Sequence, residues 1–261
     1  QTAYDTWNPA PEFVLLLGDA EFIPTNYSDG TATDLYYATV NGSDYYPDIH
    51  MGRISVDTAT QANNRINAII NYPTAGDHYD DISVAAYFQD DNGDGQADRL
   101  FTQTSEEIRD YLLTQGYSVE RIYTTGSSIN PTHYENGQPI PSELLRSNGF
   151  AWDGDETDIA NAVHAGRLIV NHRDHGWTSG WGHPSYSTSQ VQALTNGDEL
   201  PVVFSMNCQT GWFDNETDSD PYTLSSDIHF SEAWERNPNG GAVGIIAATR
   251  SSYSWYNDYM A

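Results

Sequence analysis

Cys208 is the chain's one cysteine, and 33 residues before it His175 stands directly ahead of Gly176. A thiol becomes a useful nucleophile when a nearby imidazole takes its proton, and a glycine lets a backbone N–H approach a substrate carbonyl. Cysteine-based acyl transfer is the first chemistry these residues allow. The histidine lies in VNHRDHGWTSGW (170–181), where His172 stands three positions earlier, so either imidazole can be the base. A zinc site from His172, His175 and His183 is a second chemistry, but nothing supplies a further ligand at metal-like spacing. The plain alternative for Cys208 is a small buried hydrophobe.

To work together these residues must reach one edge of the fold. Short apolar runs recur at 13–18, 82–88, 117–123, 167–171, 201–207 and 242–248, with helical patterns at 58–72, 104–116 and 157–166 between them. Apolar runs of this length are the strands of a parallel sheet buried on both faces. Thr157 ahead of its apolar residues and Gly166 behind them bound the third helix. In open α/β sheets ligands gather at the carboxyl ends of the strands. There the chain delivers QDDNGDGQAD after 82–88, HRDHG after 167–171, Cys208 after 201–207 and TRSSYSWYND after 242–248. The reading is an α/β fold with two subdomains, 1–75 and 76–261, divided within PTAGDHYDD (73–81), and a Gly/Pro/Asn-bearing insertion at 124–156.

Composition narrows the partners. With 37 acidic against 10 basic residues and a formal charge of −27, the chain repels nucleic acid and anionic lipid, so neither is expected as a partner. Cations are the natural counterpart. No stretch approaches the ~18 apolar residues of a membrane span, and none has the form of a signal peptide. The opening residues run almost at once into an apolar strand, as a mature or excised domain would, and the stop soon after 251–258 reads as a missing C-terminal part.

Residues 171–214 carry a resemblance. Asn171, His175-Gly176, Trp181, Ser187-Thr188-Ser189-Gln190, Leu194-Thr195-Asn196 and Cys208 follow in an order and at a His-to-Cys interval similar to those of the gingipain family of cysteine peptidases. Weaker matches lie at 33–38, 48–56 and 240–249. The resemblance implies a caspase-like three-layer sandwich with a mainly parallel sheet. It also implies a secreted or cell-surface cysteine endopeptidase acting on protein or peptide substrates. His175 is then the base, Cys208 the nucleophile, and the amides of Gly176 and Cys208 the oxyanion donors, while His172 falls to a packing or hydrogen-bonding role.

The family orients its histidine with a carboxylate from the loop after an earlier strand, which places Asp90 there, with Asp91 as the close alternative. It also implies a specificity wall of Trp255 with Asp258 at its base, suited to a basic P1 residue. Arg173 and Met206, two before His175 and Cys208, depart from the family at that pocket, and Arg173 can pair with Asp258 and cancel it. Independently, Asp90, Asn92, Asp94, Gln96 and Asp98 alternate oxygen-bearing side chains as a calcium loop does, although position twelve is Phe101 and not Glu. A structural calcium ion is expected there. The non-enzymatic reading is an inactive calcium-binding or adhesive module on the same scaffold.

Overall fold

The computed structural model describes residues 1–73, 77–217 and 228–261. Strands β1 (Phe13–Leu17) and β2 (His50–Ile54) pair in parallel as a sheet of their own. Strands β3 (Asp81–Tyr87), β4 (Ser118–Thr124), β5 (Ile169–Arg173), β6 (Val202–Met206) and β7 (Gly244–Ala247) form a five-stranded parallel sheet in the order β7-β6-β5-β3-β4. Helices α1 (Ala59–Ile70), α2 (Phe101–Thr114), α3 (Glu156–His164), α4 (Thr188–Gln192), α5 (Phe230–Arg236) and α6 (Ser254–Met260) complete the frame.

Side chains alternate across the main sheet, so each strand feeds two cores. Ala85, Val170 and Val203 face Ile159, Ala162 and Val163 of α3 and Phe230, Ala233 and Trp234 of α5. Val84 and Ala86 face the opposite way, toward Tyr134, Leu144 and Trp152 of the insertion. Helix α2 packs on that second side against β3, β4 and β5. The result is a caspase-like three-layer α/β sandwich. Helix starts are locally specified: Thr58 and Gln61 cap α1 reciprocally, as Asp155 and Asp158 cap α3. The α3 cap is therefore Asp155 and not Thr157, because its carboxylate reaches the amides of Thr157 and Asp158.

One strand differs from expectation. FVLLL reads as buried on both faces, but among the described residues β1 has only β2 beside it and leaves Phe13 and Leu15 71% and 58% exposed. The expected subdomain boundary at residue 75 lies outside the described residues. Residues 19, 55 and 57 are tied to α5 by charge. Arg236 of α5 donates to the Ser55 carbonyl (2.7 Å), Asp19 (2.7 Å), Asp57 (2.5 Å) and Glu232 (2.5 Å), with Asp19 and Glu232 fully buried.

Removing one partner from a buried charge cluster strands the others, a loss of about 3–5 kcal/mol. Arg236→Met is expected to destabilise the chain by that order in equilibrium urea unfolding. A change below about 1 kcal/mol, the worth of a surface pair, would show that the cluster does not hold residues 19–57 to α5.

Candidate active site

Parallel pairing sets Arg173 of β5 opposite Met206 of β6, so His175 and Cys208 both leave the sheet two residues past a matched pair. Beyond Cys208 the chain turns sharply through Gln209, whose φ is +60°. The two loops touch: a Cβ on Gly176 would lie 2.6 Å from Asn207 Oδ1 and 2.9 Å from the Cys208 carbonyl oxygen. Only glycine fits there. Cys208 is part-buried, its thiol donates to the Ser252 carbonyl at 3.2 Å, and its backbone N–H has no acceptor among the described residues.

His175 Nε2 lies 2.9 Å from Gln89 Oε1, and the Gln89 amide nitrogen donates to Asp91 Oδ2 at 2.8 Å. The Gln89 amide is thereby oriented, since its NH₂ must face the carboxylate and its oxygen the ring. The imidazole then carries its proton on Nε2 and leaves Nδ1 as the basic nitrogen. Phe101 stands edge-on to the ring, with centroids 5.3 Å apart.

Asp90 is therefore not the histidine's partner. Its buried carboxylate accepts from the amides of Gly93 (2.7 Å), Gly95 (2.8 Å) and Asp94 (3.3 Å), closing its own loop. Further along, Asn92 Oδ1 accepts from Asp94, Asp94 Oδ1 from Gln96, and Asp98 Oδ2 from Asp91, while the Gln96 side chain reaches the Glu135 carbonyl. Asp94 and Asp98 each keep one carboxylate oxygen outside these bonds; Asp90 uses both. Among the described residues the carboxylates that come within 4.8 Å of one another as a group of three are Asp19, Asp57 and Glu216, away from this loop.

His172 is fully buried and stacks on Trp181 with centroids 4.2 Å apart. Asn207 donates to its Nδ1 (2.9 Å), and its Nε2–H faces the His183 carbonyl (3.2 Å). Both ring nitrogens are occupied, so it serves packing and not proton transfer. Burial pushes its pKa down to about 3. His183, half exposed, is held above its usual range by Asp174, whose Oδ2 also accepts the His183 amide at 2.6 Å.

The specificity residues do meet, but closed. Arg173 is buried, donating to Asp258, to the Met206 carbonyl (3.2 Å) and to the Ser254 carbonyl (2.5 Å), with its guanidinium 4.7 Å over the Phe101 ring. Thr104 donates to the same Asp258 oxygen at 3.0 Å. Asp258 is thus no open base for a basic P1 side chain; the chain's own arginine takes its charge. Met206 is buried, and Trp255 stands exposed, stacked on Tyr256.

A family model described as Peptidase family C25 matches residues 1–261. The chain belongs to peptidase family C25. It is 26% identical over 253 residues to gingipain R2 of Porphyromonas gingivalis, covering 93% of this chain and 29% of that protein. Lys-gingipain of the same organism is 26% identical over 253 residues, with 96% of this chain and 12% of that protein covered. The crystal structure of the Arg specific cysteine proteinase gingipain R superposes with a TM-score of 0.72 at 24% identity, over 96% of this chain and 51% of that one. The chain therefore spans less than a third of these curated relatives and about half of the solved chain.

For this member of family C25, the sequence reading passed over Gln89. Its signal is register: Ala86 pairs with Arg173, so extending both strands brings residue 88 level with His175 and makes Gln89 the first polar side chain beyond it, ahead of Asp90. His172 generates a pH prediction. Its native pKa lies below the unfolded value of about 6.5, so the unfolded chain binds the extra proton. Its contribution is fully present above pH ~6.5 and is lost as pH falls toward 3, by at most about 1.4 kcal/mol per pH unit. His172→Gln is expected to flatten the fall in urea-unfolding free energy between pH 6.5 and 4. An unchanged slope would show that His172 is not held neutral.

Proposed function

We propose that this region of a family C25 chain is a cysteine endopeptidase acting on proteins and peptides, secreted or at the cell surface. The contact of Gly176 with Asn207 and Cys208 carries the reading, because it sets the histidine loop against the cysteine loop at the sheet edge. Nδ1 of His175 accepts the Cys208 proton as the thiol turns from Ser252, and the thiolate attacks the scissile carbonyl. The carbonyl oxygen, now negative, is received by the open Cys208 amide and by that of Gly176. His175 then returns its proton to the leaving amine, and water activated by Nδ1 hydrolyses the thioester. No helix among the described residues is long and apolar enough to cross a membrane. A charge of −27 disfavours nucleic acid as substrate.

Asp258 does not select a basic P1 side chain, since Arg173 already holds that carboxylate. For calcium, the free oxygens of Asp94 and Asp98 fit a weak site on the 90–98 loop. Such an ion would stabilise the loop that carries Gln89 and take no part in the reaction.

Cys208→Ala and His175→Ala are each expected to cut peptide hydrolysis by roughly 10³-fold or more with the unfolding midpoint unchanged. Hydrolysis retained by Cys208→Ala would end the peptidase reading. On matched P1 Lys, Arg, Leu and Asp peptides, Asp258→Asn is expected to leave the ratios of kcat/KM within about twofold while destabilising the fold by roughly 3–5 kcal/mol. A selective loss on Lys and Arg would restore Asp258 as the P1 acceptor. Millimolar calcium is expected to raise Tm in the parent but not in Asp94→Ala. Equal Tm with calcium and with EDTA would remove the ion from the scheme.

A further inference from the structure

We infer that Gln89 is the positioning residue of the His175–Cys208 pair and that Asp91 sets it from one bond further out. Together they form a neutral relay that fixes the imidazole tautomer without a charge in contact with the ring. The inference rests on the peptidase reading for its chemistry, but its geometry stands apart from any substrate.

Two hydrogen bonds carry it. Asp91 Oδ2 accepts from Gln89 Nε2 at 2.8 Å, and Gln89 Oε1 accepts from His175 Nε2 at 2.9 Å. An ionised carboxylate only accepts, so Asp91 decides which end of the Gln89 amide faces the ring. Gln89 is buried with Asp90, and Phe101 closes the ring from the α2 side, so no other orientation of the imidazole keeps both contacts.

The charges around the ring are placed on each packed element. On the loop after β3, Asp90 is bound to its own amides and Asp98 to the Asp91 amide. On β5 and its loop, Arg173 is paired with Asp258, and Asp174 with His183. From β6 comes Cys208 itself. None of these replaces the contact at Nε2. When Cys208 gives up its proton, the S–H bond breaks, an Nδ1–H bond forms, and the Nε2–H remains on Gln89. The imidazolium is then steadied by a carbonyl dipole and by Asp91 at second remove, not by a direct counter-charge. A carboxylate at hydrogen-bond distance would stabilise the imidazolium further.

Because Cys208 is the sole cysteine, iodoacetamide alkylation followed against pH reads the pair with no substrate present. Gln89→Leu is expected to slow alkylation at neutral pH and to lower kcat by roughly 10²-fold with KM within about twofold. The double variant Gln89→Glu with Asp91→Asn keeps the hydrogen-bond chain but moves the charge onto the ring. Its acid limb of alkylation is expected about one pH unit or more above that of the parent. Circular dichroism and unfolding midpoints identify variants that fail to fold, and the double variant carries the test if Gln89→Leu is one of them. An unmoved acid limb in the folded double variant overturns the relay. Limbs that follow residue 89 in a chain that cleaves no peptide would leave the relay standing and sink the peptidase reading. If His175→Ala leaves the alkylation profile unchanged, the pair itself is absent and the relay falls with it.

Discussion

The parallel register of β5 against β6 is the constraint on which the site depends. With Val202 opposite Ile169 and Met206 opposite Arg173, His175 and Cys208 emerge level with each other at one edge. A one-residue slip would carry His172 and Arg173 to the wrong faces, placing a guanidinium against the aromatic core around Trp181 and an imidazole against α2. The register is held by what each face buries. Val170 and Val203 belong to the core under α3 and α5, while Arg173 belongs to the polar knot with Asp258 and Thr104. The loop contact at Gly176 then follows, and only a residue without a side chain can sit there.

Much of this was legible in the chain because parallel strands advertise themselves. ISVAAYF, RLIVN, PVVFSMN and AVGIIAA fall within about two residues of β3, β5, β6 and β7, and the polar segments after them are the ones that meet. The same rule failed at FVLLL, since an apolar run reports a preference for burial and not the number of neighbours that the fold supplies. Helices α5 and α6 left weaker traces. Phe230–Arg236 is short and hides charged Glu232 and Arg236 in the interior, where pattern alone would put them in solvent.

Side-chain partners were harder to read than strands, and each miss has a geometric cause. Asp90 was expected beside His175 because a carboxylate is the usual orienting group. In the folded loop, three glycine-flanked amides claim both its oxygens, and the strand register delivers Gln89 to the ring instead. The calcium-like alternation of 90–98 has the same explanation: short oxygen-bearing side chains at every second position suit a cation, but they also cap the amides of a tight turn. Sequence spacing cannot separate these uses. The Arg173–Asp258 pair was foreseeable as a possibility, yet only packing decides whether an arginine on β5 lies down under α6 or reaches into solvent.

That the histidine of so acidic a chain leans on an amide has a physical sense. Asp90, Asp91, Asp98 and Asp174 all lie on the two loops that carry Gln89 and His175. A further carboxylate touching Nε2 would hold the imidazole protonated to higher pH, and a protonated imidazole cannot accept the Cys208 proton. The fold deals with each acid separately. Asp90 is spent on backbone, Asp98 on the Asp91 amide, Asp174 on His183, and Asp91 on the far side of the Gln89 amide. The group in hydrogen-bond contact with Nε2 is neutral. Its carbonyl still selects the tautomer, which leaves Nδ1 as the unprotonated nitrogen and, in the proposed function, the acceptor of the thiol proton.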